Sequence, residues 1–142
     1  MKNFLLSILI IFVFTGNGIA SEIVQITDHI DENHNRISYR TTKEILGKCP
    51  DWKLDKEPPL PVSTATEIAN TWIKKKYPKF NKFSIAAITL SKIWDREYQN
   101  KWYYSISVNA FADIDGINTR SFFSVIILMD GSVVEPIAQC KE

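Results

Sequence analysis

Glycine is scarce in this sequence, and its scarcity removes one class of binding site. Only 5 of the 142 residues are glycine, and neither G-x-x-x-x-G-K-[ST] nor G-x-G-x-x-G occurs. A loop that cradles phosphates needs such glycines because its backbone N–H groups must approach the phosphate oxygens closely. The sequence therefore gives no indication of a nucleotide-binding site.

Histidine is rarer still, with two residues, and catalytic motifs are missing. His29 and His34 fall in one polar stretch with Asp28, Asp31 and Glu32, and no G-x-S-x-G nucleophile elbow is present. This stretch is the densest set of potential metal ligands, but a His-x4-His spacing without a third ligand of fixed geometry specifies no metal. We interpret it as a solvated loop and expect no cofactor. A small metal-dependent enzyme centred on His29 and His34 is the alternative.

The first twenty residues have the pattern of an export signal. Lys2 precedes an apolar run over residues 4–14, and the small residues Gly18 and Ala20 stand where a signal peptidase cuts. The run is too short to cross a bilayer, which takes about 20 apolar residues. We therefore expect cleavage of residues 1–20, no integral membrane anchor afterwards, and a secreted or periplasmic location.

Excess charge of either sign is absent from the remaining chain. The full sequence has 17 Lys plus Arg and 16 Asp plus Glu, and the signal removes only Lys2. Nucleic acids and anionic membranes bind proteins through a net basic face. Neither is therefore expected as a partner.

Only two cysteines are present, Cys49 and Cys140. In an oxidising compartment an even pair usually closes a disulfide. We predict a Cys49–Cys140 disulfide, which would stabilise the fold by about 4 to 5 kcal/mol for a loop of about 90 residues in the chain-entropy model. A redox-active pair is the alternative, although such pairs normally have C-x-x-C spacing or an adjacent histidine.

Hydrophobic periodicity predicts an α+β domain with one main helix. Thr64 and Glu67 have the spacing of a capping box, and apolar residues then recur at helical intervals until Pro78. An antiparallel meander is predicted from four β patterns, at residues 83–94, 101–112, 121–129 and 133–134. The helix should pack on the apolar face of the second of these strands. The third is apolar at every position over residues 125–129, which indicates a central strand or a second covered face.

An N-terminal extension, residues 21–61, precedes the helix. Residues 22–27 and 36–42 are β-rich and flank the polar stretch, which predicts a short hairpin. From residue 46 to residue 61 the glycine and prolines exclude a regular helix and predict an extended crossing segment, pinned to the domain by Trp52. We place the extension in the same domain as residues 62–142, since a chain of this length supports one core.

Two segments of the sequence resemble a known family. Residues 63–69, STATEIA, and residues 125–136, VIILMDGSVVEP, resemble the PepSY-like group of small exported bacterial domains. The resemblance spans about residues 62–137. It implies a helix on an antiparallel sheet and a non-catalytic role, such as binding or restraining a peptidase or another envelope protein. The long extension and the cysteine pair depart from the pattern.

The strands carry more aromatic side chains than one sheet face can hold, because neighbours along a strand point to opposite sides. The candidates for a binding surface are Trp94, Trp102, Tyr103, Phe111 and Phe123. The alternative is that the N-terminal extension covers them. The leading hypothesis is a secreted, non-enzymatic binding module that uses a sheet face or an edge strand to hold an exported protein or peptide. A self-associating structural protein of the envelope is a further alternative.

Overall fold

The structure, a computed structural model, describes residues 22–31 and 34–139. The predicted export signal and Cys140 lie outside these residues. Within them, antiparallel sheets dominate a mixed α+β fold, as the sequence predicts. No helix of the described part is long and apolar enough to cross a membrane.

Seven strands and two α-helices make up the described chain, together with a 3-10 turn at Arg96–Tyr98. In chain order they are β1 (Ile23–Ile30), β2 (Arg36–Thr42), α1 (Lys43–Lys48), α2 (Val62–Lys76), β3 (Lys82–Lys92), β4 (Trp102–Ile114), β5 (Ile117–Leu128), β6 (Val133–Val134) and β7 (Pro136–Gln139). One sheet has the strand order β1-β2-β7, and the other has the order β3-β4-β5-β6.

The main helix, α2, begins earlier than the sequence indicates. Its N-cap is Pro61, so the predicted capping box of Thr64 and Glu67 is wrong, and Pro61 makes no side-chain capping bond. Proline suits this position because its ring fixes φ, which is −60° here, and it has no N–H that would need a partner. The helix ends at Lys76, before the predicted stop at Pro78.

The helix packs on one face of the four-stranded sheet. Ala65, Ala69 and Ile73 of α2 are fully buried against a cluster that includes Ile106 and Val108 of β4. This is the apolar face that alternation along β4 predicts. The second core lies on the opposite face of the same sheet.

The three-stranded sheet covers that opposite face. Ile126 and Leu128 of β5 and Tyr103 of β4 are buried there with Val24 of β1 and Tyr39 of β2. Residues 125–129 are buried because α2 covers one face of β5 and the three-stranded sheet covers the other. This explains why all five are apolar.

A phenol hydroxyl ties the two sheets together. The Tyr39 hydroxyl donates a hydrogen bond of 2.9 Å to the carbonyl oxygen of Ser124 in β5. Tyr39 is only 2% exposed, so this bond lies in a largely dry environment, where a lost partner is costly.

The N-terminal extension forms the predicted hairpin of β1 and β2 and then a short helix. α1 covers Lys43–Lys48, so the expectation that breakers exclude helix from residue 46 onward is wrong for its first three residues. Thr42 caps α1, because its hydroxyl accepts a hydrogen bond of 3.3 Å from the Ile45 amide. The first proline of the segment, Pro50, lies beyond the end of the helix and does not interrupt it.

Trp52 anchors the crossing segment, as predicted. Its ring is 6% exposed and meets the Trp102 ring edge to face, with centroids 5.3 Å apart. The Trp102 indole N–H donates to the Trp52 carbonyl at 2.9 Å, and the Trp52 indole N–H donates to the Lys56 carbonyl at 2.8 Å. Both indole N–H groups thus have a hydrogen-bond partner.

Cys49 is buried just after α1, and its thiol donates to the Ile45 carbonyl at 3.4 Å. The register of β7 pairs Gln139 with Arg36, the end of β2 that is remote from α1. At a rise of about 3.3 Å per residue, Arg36 and Thr42 are roughly 20 Å apart along β2. The Cys49–Cys140 disulfide stays a prediction, because Cys140 is outside the described residues, but the position of Gln139 does not favour it.

Candidate functional site

The outer edge of β3 is the most open part of the four-stranded sheet. β3 pairs with β4 alone, and no other strand of the described chain lies along its second side. Between Lys82 and Lys92 the strand reads FSIAAITLS, without a charge, a glycine or a proline. Native edge strands are usually protected by charged residues, prolines or bulges, because unpaired N–H and C=O groups accept a further strand.

Three aliphatic side chains of β3 lie on the face that α2 covers, but beyond the helix. The register places Ile85 opposite Val108, Ile88 opposite Ile106 and Leu90 opposite Tyr104, so each pair shares a face. The helix lies over β4, β5 and β6. Ile85, Ile88 and Leu90 are consequently 37%, 41% and 36% exposed, whereas their partners on β4 are buried. We call Ile85, Ile88 and Leu90, with the unpaired backbone beside them, the β3 edge.

The backbone groups of the same residues point away from the sheet. The Ile93 amide donates to the Lys101 carbonyl at 3.0 Å, so Ile93 and Lys101 are a hydrogen-bonded pair. This pair fixes which residues of β3 bond to β4. Because alternate residues of an antiparallel strand face the neighbouring strand, Ser91 and Thr89 turn their N–H and C=O groups toward β4. Leu90 and Ile88 turn theirs outward, so exposed side chains and free hydrogen-bonding groups coincide.

The β3 edge has one irregularity. The β3–β4 register shifts between Ile85 and Ala87, which leaves Ala86 without a partner on β4. A bulge of this kind bends the strand and increases its local twist. The straight part of the edge that an added strand can follow therefore runs from Ala87 toward Lys92.

The other sheet offers poorer edges. β1 buries Val24 and Ile26 in the core and holds an ion pair between Asp28 and Arg36 of β2. β7 has four residues and begins at Pro136. A charge and a proline are common protections of an edge strand.

A hollow of about 220 Å³ lies where β3 ends, and it is lined by residues that follow the edge strand. Lys92, Trp94, Arg96 and Gln99 contribute to its walls. The Trp94 side chain is 94% exposed, so it packs on nothing in the described chain. Asp95 also lines the hollow, but its carboxylate is engaged by the Glu97 amide, which donates to it at 2.9 Å.

The structure does not bring the five predicted aromatic residues together. Tyr103 is buried in the core beneath β1 and β2, and Trp102 packs on Trp52. Phe123 stacks on Tyr77, with ring centroids 4.2 Å apart, in a cluster beside α2. Phe111 is half-buried next to Arg120, with 6.0 Å from the guanidinium carbon to the ring centroid, and Trp94 stands alone.

Sequence reasoning named the edge strand as a mode of binding but missed the residues of the β3 edge. Ile85, Ile88 and Leu90 are ordinary β-strand residues, so nothing in their chemistry marks them. The available signal was the uncharged stretch between Lys82 and Lys92. Whether a helix covers that stretch is decided by packing and has no local signature.

Only one of the two histidines lies in the solvated connection that the sequence predicts. His29 lies in β1, not in a solvated loop, and its ring stacks on Tyr39 with centroids 5.7 Å apart. Burial lowers the pKa of His29, and the nearby Asp31 charge partly opposes that shift. His34 is exposed and has a positive φ of 63°. Among residues 22–31 and 34–139, no group of three or more His, Cys, Asp or Glu side chains is placed to hold a metal ion.

Comparison of the chain with protein-family models, with curated proteins and with solved structures finds no match in any of the three. The PepSY-like resemblance therefore stays a prediction.

Proposed function

We propose that this protein is an exported, non-catalytic binding module that holds an extended segment of a peptide or protein by adding it as a strand to the β3 edge. The observation that carries the proposal is the coincidence at Ile88 and Leu90 of exposed aliphatic side chains and outward backbone groups. In strand addition the main-chain hydrogen bonds supply affinity, and alternate side chains supply specificity. Both contributions are available on one side of β3.

Pairing of two copies through their β3 edges is the competing use of the same surface. The straight part of the edge allows a symmetric antiparallel pair about Leu90, which would place Lys92 of one copy opposite Ile88 of the other. That pairing leaves both lysine charges without an acidic partner. A different partner is therefore favoured, and light scattering that shows a monomer over a range of concentrations is the expected result.

Export is part of the proposal, because residues 1–20 have the features of a signal peptide. A secreted or periplasmic location then follows. The PepSY-like resemblance agrees with this assignment, since it implies an exported domain with a binding role. The mass of the chain recovered outside the cytoplasm should correspond to a start at Ser21.

The binding test uses random twelve-residue peptides displayed on phage and selected on the purified chain. Two variants block the edge in different ways. Ile88→Pro removes an outward N–H, which an edge strand tolerates because that group bonds nothing in the sheet. Ile88→Lys adds a charge of the kind that protects natural edges. The matched control is Ile117→Lys, the same change at another exposed isoleucine, in the β4–β5 hairpin.

Selected peptides should share an alternating apolar pattern and bind the wild-type chain and Ile117→Lys alike. Both Ile88 variants should bind them at least tenfold more weakly, with unchanged far-ultraviolet circular dichroism. Peptides that bind all four proteins equally would show that the β3 edge is not the binding site.

A further inference from the structure

We propose that the hollow at the end of β3, between Lys92, Trp94 and Arg96, binds a carboxylate carried by the extended segment. This inference rests on the proposed function, because it names the chemistry of the segment that the β3 edge receives. The carboxylate can belong to an acidic side chain or to a chain terminus.

The cations of the hollow are unused, whereas the acids near it are engaged. Neither Lys92 nor Arg96 makes an ion pair with any described residue. The Asp95 carboxylate caps the 3-10 turn, and the Glu97 carboxylate accepts from Lys43 Nζ at 2.8 Å. The hollow therefore presents the positive charges of Lys92 and Arg96 against the one negative charge of Asp95, a net charge of +1, beside an exposed indole ring, which complements a carboxylate on an extended chain.

The hollow also lies in line with the β3 edge. Ile88, Leu90 and Lys92 alternate onto one face of the strand, and Trp94 continues past its end. Leu90 and Lys92 are about 7 Å apart at the usual rise of a strand. A segment paired along Ile88 and Leu90 thus brings its next residues to Lys92 and the hollow.

A charged group bound at this end of β3 would fix the register of the added strand. Uncharged strands with alternating residues slip in register, because a shift of two residues preserves every face. A carboxylate held by Lys92 and Arg96 fixes one register. In an antiparallel segment this carboxylate belongs to an acidic residue near its N-terminus, and in a parallel segment it can be the free C-terminus.

Lys82 provides a matched control at the other end of the strand. It pairs with Phe111, whose face is opposite to that of Ala110 and the helix. Lys82→Gln removes the same charge as Lys92→Gln but leaves the hollow unchanged. Like Lys92 and Arg96, Lys82 makes no ion pair in the described chain, so none of the three changes breaks a native ion pair.

The probes are three synthetic ten-residue peptides with one alternating valine and threonine core and an acetylated N-terminus. The first begins with glutamate and ends in an amide, the second has only a free C-terminal carboxylate, and the third has no carboxylate. Binding to the full chain is measured by calorimetry and by fluorescence. Trp94→Phe identifies the part of the emission change that comes from Trp94.

One carboxylate peptide should bind roughly two- to fivefold more tightly than the neutral peptide, a difference of about 0.4–1 kcal/mol that lies within the usual range of exposed charge pairs. The double change Lys92→Gln and Arg96→Gln should erase that preference, and Lys82→Gln should retain it. A preference for the glutamate peptide identifies an antiparallel segment, and a preference for the free terminus identifies a parallel one.

The two proposals fail in different ways. Equal binding of all three peptides to the wild-type chain, unchanged in the double variant, would overturn the carboxylate site and leave strand addition in place. A carboxylate preference that Lys82→Gln abolishes as completely as the double variant would also overturn it, because the effect would then be general charge. Absence of binding by all three peptides would count against both the carboxylate site and the β3 edge.

Discussion

Ile88 and Ile106 lie directly opposite each other on neighbouring strands and share one face of the sheet, yet Ile106 is completely buried and Ile88 is 41% exposed. The difference comes from α2, which covers β4 and stops short of β3. The boundary of the hydrophobic core thus runs between two paired isoleucines, and the open side of that boundary is the β3 edge.

Because of this boundary, substitution by alanine should change the free energy of unfolding unequally at Ile106 and Ile88. Ile106→Ala should lower the free energy of unfolding by about 2–5 kcal/mol, because it leaves a cavity in a packed core. Ile88→Ala should cost less than about 1 kcal/mol, since water already reaches that side chain. Urea denaturation of both variants measures the difference. Similar losses would mean that β3 is covered in solution.

Amide hydrogen exchange should alternate along the straight part of β3. The amides of Thr89 and Ser91 face β4 and should exchange slowly, whereas those of Ile88 and Leu90 face outward and should exchange quickly. Nuclear magnetic resonance on the free chain resolves these four positions. Uniform protection would reveal a strand already bound to the β3 edge, and added peptide should slow Ile88 and Leu90 selectively.

The Tyr39 hydroxyl predicts a dependence of stability on alkaline pH. Burial is the main cause that raises the pKa of Tyr39 well above its usual value, and the charge of Tyr77 raises it further. The folded state therefore keeps the proton when the unfolded state loses it, so this contribution is complete below about pH 10 and declines as the pH rises further.

Tyr39→Phe removes both the hydrogen bond to Ser124 and this titration. At pH 7 the variant should be less stable by about 1 kcal/mol, the usual net value of one buried hydrogen bond. Between pH 10 and pH 11 it should lose less stability than the wild-type chain. Denaturation curves at these pH values provide the comparison, and parallel losses in the two proteins would contradict the assignment to Tyr39.

The Cys49 thiol should be unreactive in the folded chain. Burial raises its pKa to about 12, with a further contribution from Asp130, and only the thiolate is a strong nucleophile. Under reducing conditions at pH 8, iodoacetamide should modify Cys49 slowly in the native protein and quickly in urea. Rapid modification of the native protein would show that the residue is accessible.

The same reagent tests the predicted disulfide on chain isolated without reductant. If Cys49 and Cys140 are bonded, neither is alkylated in urea, and reduction adds about 2 Da to the intact mass. Two alkylations per chain in urea would instead show two free thiols. That outcome would agree with the pairing of Gln139 to Arg36, which takes the end of β7 away from α1.

Much of the fold follows from local sequence. β2 and β6 have the predicted bounds, and the other strands of the meander differ from prediction by a few residues at their ends. The predictions were wrong at the start of α2 and at α1, where another local structure suits the same residues. Pro61 replaced the capping box as the start of α2, and α1 used the few residues before Pro50.

By itself the sequence determined the class of fold and the order of its main helix and meander strands, and it indicated a central or doubly covered position for residues 125–129, because each depends on the pattern of apolar residues. It did not indicate α1 or β7. The tertiary structure alone decided which faces stayed open. Tyr103 has an aromatic side chain suited to binding and is buried, whereas Ile88 has a side chain suited to the core and is exposed. Burial depends on where α2 and the β1–β2–β7 sheet end relative to each strand, and that is set by packing between segments far apart in the chain.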